Sequence, residues 1–511
     1  MSNKPSEYRL STQGLTKHYP GTIACQDIDL TIQPGEIHAL LGENGAGKST
    51  LVKMIYGVTA PTRGQIFWEG RPVVLRSPAM ARELGIGMVF QDFALFESLR
   101  VVENVALALP KREPHRVLAK RIQTVSERYG LPIDPEKPVG SLSVGERQRV
   151  EIVRSLLQTP RLLIMDEPTS VLAPQAVERL FETLRQIAAE GCSVLYISHK
   201  LHEIRALCDR ATVLRQGRVT GTCTPADETA GNLARMMIGQ ALPVVNRPPS
   251  KVADVALAVN TPRISSGDEH EVGLEALSFS VSRGEILGIA GISGNGQGEL
   301  LRLLSGERLA PSADAIRING EPVGQYGVAK RRERGMAYIP EDRRGQATVA
   351  DLPLTDNATL TAINTQPITQ YGLMRHAAIQ AFTQRCIEIY QVVCSGSQAP
   401  ARSLSGGNLQ KFVVGRELLQ MPQLLVCAQP TWGVDVGAAA FIRQKLLDLR
   451  SEQTAIVVIS EEIEELFEIS DRIAVIADGR LSPIRSVADS SYEQVGLWMS
   501  GLWDSEGALN A

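Results

Sequence analysis

No window of this 511-residue chain approaches the roughly 20 apolar residues needed to cross a bilayer, so any membrane role is expected to run through a partner. The N-terminal Met1-Ser2-Asn3-Lys4-Pro5-Ser6-Glu7 offers no apolar core of the signal-peptide kind. Seven cysteines, Cys25, Cys192, Cys208, Cys223, Cys386, Cys394 and Cys427, are scattered without a C-x-x-C pair, which argues against a zinc site or a disulfide framework. They are expected as buried thiols in a reducing cytosol. Charge of one sign is also missing: 53 Lys and Arg face 56 Asp and Glu, a net of -3, so no nucleic-acid partner is expected. What the chain does have is length, too much for one core, and two or more domains are expected.

The stretch Gly42-Glu43-Asn44-Gly45-Ala46-Gly47-Lys48-Ser49-Thr50 reads G-x-x-x-x-G-K-[ST]. It follows the apolar run Ile37-His38-Ala39-Leu40-Leu41, a predicted strand, and precedes Leu51-Val52-Lys53-Met54-Ile55, a predicted helix start. That context makes it a phosphate loop. Its glycines let successive N–H groups turn inward, and the helix opening at Lys48 adds a partial positive charge. Lys48 would reach the β and γ phosphates of a nucleotide, and the Ser49 hydroxyl would meet Mg²⁺.

Other candidates follow in order. Tyr19 is an aromatic that could stack on a purine or simply pack. Gly87-Met88-Val89-Phe90-Gln91 reads as a strand ending in an amide, and Ser143 as the cap of a helix running on through Arg154. Leu162-Leu163-Ile164-Met165-Asp166-Glu167 is a buried strand delivering two carboxylates, which are too costly to be core. Asp166 suits Mg²⁺ and Glu167 suits activation of a hydrolytic water. The run Val194-Leu195-Tyr196-Ile197 ends in Ser198-His199, an imidazole placed to meet a γ-phosphate.

This order of elements resembles the nucleotide-binding cassette of ABC transporters. Gln91 stands in the Q-loop position, Leu142 to Glu146 in the signature, Asp166 and Glu167 in Walker B, and His199 in the switch. The resemblance implies ATP and Mg²⁺ as cofactors, with Lys48, Gln91, Glu167 and His199 catalytic and Ser49, Gln91 and Asp166 as metal ligands. Nucleotide contacts would come from Tyr19, Gly42, Asn44, Gly45, Gly47, Lys48, Ser49 and Thr50.

The segment from Leu242 to Ser265 turns rich in proline, polar and charged residues, and the pattern then starts again. Gly291-Ile292-Ser293-Gly294-Asn295-Gly296-Gln297 repeats the phosphate loop 249 residues on. Equivalents of the signature, Walker B and switch recur at an offset of 262, beginning at Leu404, Ala428 and Glu461. The expected fold is α/β: two tandem P-loop domains of the ABC type, 1–245 and 246–511, each with a mixed β core and a helical subdomain.

In the second copy Gln297 stands for Lys48, Gly298 for Ser49, Glu341 for Gln91, Ala428 for Asp166, Gln429 for Glu167 and Glu461 for His199. Glu299 and Glu461 add negative charge, so no hydrolysis is expected there. Yet this copy holds the fuller signature, Leu404-Ser405-Gly406-Gly407-Asn408, where the first has Val144 for a glycine. It also holds Asp435 where the first has Ala173. In ABC proteins two cassettes dock head to tail, so each ATP lies between the Walker motifs of one and the signature of the other. The sorting of motifs therefore implies one competent site, built by the first Walker set with Ser405, Gly406 and Gly407, and one degenerate site.

Two cassettes with a defective second one resemble the ATP-binding subunits of bacterial importers for monosaccharides and nucleosides. Ala428 and Gln429 favour the nucleoside-type subgroup, since sugar-type members usually keep carboxylates there. Implied partners are two membrane permease subunits and, indirectly, an extracytoplasmic substrate-binding lipoprotein, with the chain peripheral on the cytoplasmic face of the inner membrane. Phe93-Ala94-Leu95-Phe96 is either the permease contact or a loop packed on its own helical subdomain. The rival reading is a soluble tandem-cassette translation factor acting on the ribosome, which would need two competent sites and usually carries a long charged linker.

Overall fold

Runs such as Leu162-Leu163-Ile164-Met165 and Val194-Leu195-Tyr196-Ile197 offer water no polar face, and each forms a strand whose apolar run is buried throughout. A computed structural model describes residues 8–503 apart from 21, 44, 91–92, 110–112, 170–171, 173, 199, 240–245, 250, 267–270, 293 and 500. The chain divides into two units, Met1–Leu242 and Pro243–Ala511.

In the first unit the elements are β1 (Leu10–Tyr19), β2 (Thr22–Ile32), β3 (Ile37–Gly42), α1 (Lys48–Ile55), β4 (Arg63–Trp68), β5 (Arg71–Val73), α2 (Pro78–Glu83) and β6 (Ile86–Val89). Then come α3 (Val101–Ala108), α4 (His115–Arg128), α5 (Val144–Leu156), β7 (Leu162–Asp166), α6 (Pro174–Ala189), β8 (Ser193–Ile197), α7 (Leu201–Leu207), β9 (Arg210–Arg215), β10 (Arg218–Cys223) and α8 (Ala230–Ile238). A mainly parallel sheet runs β10-β9-β3-β8-β7-β6, with only β10 antiparallel to its neighbour. A separate antiparallel sheet runs β2-β1-β4-β5.

Leu51, Met54 and Ile55 of α1 share one apolar cluster with Leu10, Leu30 and Trp68 of the antiparallel sheet and Leu40, Ile164 and Ile197 of the parallel one. The helix that follows the phosphate loop is thus packed by both sheets. Each such buried side chain contributes about 1.5–3 kcal/mol, and truncating Leu51 to Ala would cost roughly 2–5 kcal/mol.

The second unit repeats this plan: β11 (Val255–Thr261), β12 (Leu277–Ser282), β13 (Ile286–Ala290), α9 (Gln297–Ser305), β14 (Ile316–Ile318), β15 (Glu321–Pro322), α10 (Val328–Glu333), β16 (Met336–Ile339) and α11 (Leu354–Ala362). It continues with β17 (Thr369–Gln370), β18 (Leu373–Met374), α12 (His376–Ile389), α13 (Gly406–Leu418), β19 (Leu424–Ala428), α14 (Val436–Ser451), β20 (Ala455–Ser460), α15 (Ile463–Ile469) and β21 (Arg472–Ala477). The remainder is β22 (Arg480–Leu481), β23 (Arg485–Ser486) and α16 (Tyr492–Met499). The parallel sheet runs β16-β19-β20-β13-β21-β22, the same order as in the first unit. Both units therefore have the mixed β core expected, with α3–α5 and α11–α13 as the helical subdomains. Most of the extra residues of the second copy go into the α11–α12 connection, which carries the hairpin β17–β18. Its turn, Tyr371-Gly372, has φ of +53° and +78°, the left-handed pair that a tight hairpin requires.

Candidate functional site

Register places the chemistry at one end of the first parallel sheet. Leu40 of β3 lies opposite Ile197 of β8, and Ile197 opposite Asp166 of β7, so the phosphate loop, the two carboxylates and Ser198 all leave the sheet from its carboxyl edge. That edge is where parallel α/β sheets hold ligands. Between β3 and α1 the backbone curls so tightly that a Cβ on Gly42 would lie 2.4 Å from the Leu214 carbonyl oxygen. One on Gly47, at φ +102°, would lie 2.5 Å from that of Ala24. Only glycine fits either position.

Lys48 opens α1 and is 7% exposed. Its ammonium donates to the carbonyls of Gly42 at 2.6 Å and Glu43 at 3.0 Å. Burial pulls its pKa down, against the opposing pull of Glu167, Asp166 and Glu43. The cation is thus held over the loop by carbonyls it can exchange for phosphate oxygens. Ser49 and Thr50 follow in the first turn, with Ser49 exposed. Tyr19 ends β1 opposite Thr22, 42% exposed, with the Lys17 ammonium 5.3 Å from its ring centre.

Asp166 ends β7 with its pKa raised to about 6, first by burial and then by Glu167, against Lys48 and Lys53. It remains largely ionised at neutral pH. Its carboxylate and the Ser49 hydroxyl are hard oxygen donors of the kind Mg²⁺ takes, so the set fits that ion. Glu167 sits at φ +48°, and its N–H donates to the Ile197 carbonyl at 2.9 Å. A non-glycine residue held there costs on the order of 1–3 kcal/mol, and such strain clusters at functional sites. Asn44, Gln91 and His199 lie outside the described residues.

A residue that sequence reasoning missed stands behind this edge. Glu203 of α7 is 1% exposed, and its Oε2 accepts from Thr169 Oγ1 at 2.8 Å, Tyr196 Oη at 2.8 Å and Ser198 Oγ at 3.2 Å. It ties the loop after Walker B to the segment that leads into His199. The signal was present in the repeat: Glu465 lies 262 residues on and binds Thr431 Oγ1 at 2.7 Å and Ser460 Oγ at 2.8 Å.

In the second unit the loop is closed on itself. Gln297 Oε1 accepts the Asn295 N–H at 3.1 Å, and its Nε2 is buried with no hydrogen-bond partner among the described residues. The Glu299 carboxylate stands in the first turn of α9 and accepts from Val272 N–H. Gln429 keeps the strained backbone, at φ +45°. Its Oε1 accepts the Glu461 N–H at 3.2 Å, so an amide occupies the place of Glu167. Ala428 and Gly298 offer no oxygen donor where Asp166 and Ser49 did.

The two signature helices differ in the group bonded to the capping serine. Ser143 caps α5 in a capping box: its N–H donates to Glu146 Oε2 at 2.9 Å and its hydroxyl to the same oxygen at 3.0 Å. Burial opposes that charge, but the bonds from Ser143 and the nearby Lys137 and Arg149 hold the carboxyl below its usual range. A fixed carboxylate therefore sits on this helix N-terminus. Ser405 caps α13 instead with Asn408, whose N–H and amide both bond Ser405 Oγ, at 3.4 and 2.9 Å. Beside it, a Cβ on Gly407 would lie 3.2 Å from Asp435 Oδ2, and Asp435 caps α14 through Ala438 N–H at 2.7 Å. The capping serine of the second signature thus carries a neutral amide in place of a carboxylate, and the helix start packs on Asp435.

The ABC transporter family model matches residues 25–170 and 274–432. The glucose import ATP-binding protein of Haloferax volcanii is 38% identical, with 98% of this chain and 97% of that one covered. The guanosine import ATP-binding protein of Bacillus subtilis is 38% identical over 98% and 99%. The nucleoside import ATP-binding protein of Lactococcus lactis is 36% identical over 95% and 97%. Among solved structures, an archaeal ribosome recycling factor in complex with a ribosomal stalk protein aligns over 96% of this chain and 92% of its own, with a TM-score of 0.63. At 16% identity that likeness is one of fold alone.

Proposed function

This chain belongs to the ABC transporter family and is an ATP hydrolase of that family, and from that premise we propose that it energises an importer for nucleosides or simple sugars with a single competent site. In that site the phosphates would meet Lys48 and the N–H groups of the first loop. Glu167 would take the proton of the attacking water, His199 would meet the γ-phosphate, and Ser405 with the α13 N-terminus would complete the cradle. Mg²⁺, held by Ser49, Asp166 and Gln91, would supply charge neutralisation for the β and γ oxygens. Until nucleotide arrives, the Gly42 and Glu43 carbonyls keep the Lys48 ammonium satisfied, so its capture of phosphate is an exchange of partners.

The observation that carries the single-site reading is the contrast between Glu146 and Asn408. A carboxylate is already bonded to the capping serine of α5, where a phosphate in trans would have to bind, whereas the capping serine of α13 carries only an amide and the neighbouring Asp435 is engaged in capping α14. The closed second loop and the missing donors at Ala428 and Gly298 agree with it. Trapping with vanadate and labelled ATP tests the reading. One ADP retained per chain is expected, and two would sink it.

The names of the relatives support import of a nucleoside or sugar, and Ala428-Gln429 favours the nucleoside type. Permease docking is supported by a matched pair of exposed side chains. Phe96 and Leu107 are 62% and 64% exposed, beside a cleft of about 240 Å³ that Tyr56, Phe90 and Arg154 also line. Asn104 holds both the N–H and the C=O of Phe96, at 2.8 and 3.0 Å. In the second unit Asn357 holds Val349 the same way, at 2.8 and 3.1 Å, and Val349 and Leu360 are exposed in turn. Two equivalent apolar patches suit two equivalent permease subunits, with the chain peripheral on the cytoplasmic face and a binding lipoprotein beyond the permeases.

A further inference from the structure

We infer that Arg343 is a positioning residue for the signature of the second unit, and that it links that signature to the permease-facing patch; this rests on the reading that Ser405 to Gly407 complete the competent site. Arg343 follows Glu341, the residue in the Q-loop position. Its Nη1 donates to the Gly406 carbonyl at 3.2 Å and its Nη2 to the Trp432 carbonyl, while the guanidinium lies 5.5 Å from the centre of the Trp432 ring. One planar cation therefore spans the first residue of α13 and the loop that leads from β19 to Asp435. No other side chain offers such a fork: a lysine ammonium is a point, without fixed donors aimed at two carbonyls.

The fork lies close on Gly433, where at φ +60° a Cβ would come within 3.0 Å of Nη2, while a Cβ on Gly406 would meet Nη1 at 3.4 Å, in ordinary contact. The first unit lacks both halves of the arrangement, with Phe93 at the place of Arg343 and Val144 at the place of Gly406. The residues exchange as a pair. The clamp accompanies the signature whose capping serine carries an amide and is missing from the one whose capping serine is bonded to Glu146.

The same residue reaches back toward the surface. The Arg343 carbonyl accepts from Thr348 Oγ1 at 2.6 Å, and the next residue, Val349, is the one whose N–H and C=O are both held by Asn357. Pressure on the Val349 and Leu360 patch is therefore carried through Thr348 and Arg343 to the start of α13. In the unit that has lost Gln91's counterpart, the segment after β16 acts on the signature in place of acting on nucleotide.

The experiment compares Arg343→Ala, Arg343→Lys, Arg343→Gln and Ser405→Arg in the full chain, alone and assembled with its permeases. Readouts are kcat, KM, equilibrium binding of a fluorescent ATP and the melting temperature. Arg343→Ala is expected to lower kcat tenfold or more while ATP affinity and melting stay near the parent values. Lys and Gln, each able to serve one carbonyl, should restore only part. If Ser405→Arg abolishes turnover and Arg343→Ala keeps it, the role of Arg343 is overturned and the composite site stands. If both keep turnover, the composite site itself is wrong. A loss in Arg343→Ala that tracks a fall in melting temperature, and recurs in Arg343→Gln, would reduce Arg343 to a structural residue and overturn the inference.

Discussion

Replacing Asn408 by Glu installs, in the second signature, the arrangement the first already has, so the fold has shown that it accepts it. In α5 the Glu146 carboxylate lies 3.0 Å from the Ser143 hydroxyl and 2.9 Å from its N–H. A phosphate bound to the equivalent serine, Ser405, would then face a carboxylate about 5 Å away. Two like unit charges at that distance repel by about 3 kcal/mol at an effective dielectric near 20. The same substitution cancels the helix-terminal partial charge, typically 0.3–1 kcal/mol. Together these amount to about two and a half to three powers of ten in turnover, at 1.36 kcal/mol per tenfold. Steady-state ATPase of the purified chain in the assembled transporter measures it, with melting curves as the check on folding. The Ser405 cap is present in both, while Asn408→Glu gives up the bond that Asn408 Oδ1 accepts from the Val393 N–H at 2.8 Å, so a fall in melting of no more than that one hydrogen bond, about 0.5–1.5 kcal/mol, is expected. Turnover within threefold of the parent would refute the idea that α13 faces the cleaved phosphate. The reverse change, Glu146→Asn, is expected to leave turnover unaltered under the proposed arrangement, in which the competent site is completed by α13 and not by α5.

Three further outcomes are expected. Ser405→Arg should disable hydrolysis and Ser143→Arg should cost far less; ATPase of the two variants that shows equal losses would contradict a single competent site. Glu167→Gln should keep ATP binding and lower turnover a hundredfold or more, whereas Lys48→Ala, losing a charge-assisted contact of about 1.5–3 kcal/mol, should weaken both; nucleotide titration beside ATPase separates them. Asp166, at about 6 in the native nucleotide-free and metal-free chain against an ordinary 3.8, binds its proton more tightly folded than unfolded, so its contribution to stability is lost as pH rises from about 4 to 6. At 1.36 kcal/mol per pH unit that is about 3 kcal/mol: Asp166→Asn should be more stable than the parent by up to that amount in denaturant titrations at pH 7.5 and no more stable at pH 3.5, and equal midpoints at both pH values would show that the carboxyl is not desolvated.

The phosphate loop, the strand ending in Asp166 and Glu167, and the duplication were legible because each rests on local pattern. Gly42 and Gly47 adopt positive φ in a local turn, and a short unbroken apolar run that ends in turn and polar residues is of strand length. Glu203 was not legible, because a glutamate near the start of an amphipathic helix reads as solvent-facing; only the fold brings Thr169, Tyr196 and Ser198 to it. Arg343 was hidden for the same reason, since its partners Gly406 and Trp432 are 63 and 89 residues away. Glu146 lies inside a motif whose noted departure was Val144 for a glycine; its carboxylate gained meaning only once the hydrogen bonds to Ser143 put it on the helix tip. The five cysteines found buried met expectation, while Cys223 and Cys394 are only half-buried.

How the second unit manages the buried carboxylate it inherits says what that carboxylate is for. In the first unit the Tyr196 hydroxyl serves Glu203, and Phe181 of α6 packs edge-on against Tyr196, with ring centres 6.3 Å apart. In the second unit the equivalent positions are Val458 and Arg443. The hydroxyl donor is gone, and Arg443 brings its guanidinium within 3.8 Å of Glu465, while also pairing with Glu462 and Glu468. Even so, burial lifts the Glu465 pKa to about 7 against the pull of Arg443. A hydrogen bond to a charged group is typically worth about 1.5–3 kcal/mol, and the Arg443 guanidinium stands in for the tyrosine hydroxyl that is lost. The carboxylate is kept in a unit that has lost Lys48, Asp166 and Glu167 equivalents and retains the φ of +45° at Gln429. It holds Thr431 against Ser460, and Thr431 opens the short loop through Trp432 to Asp435, against which Gly407 packs. What the second unit preserves is the platform that presents its signature.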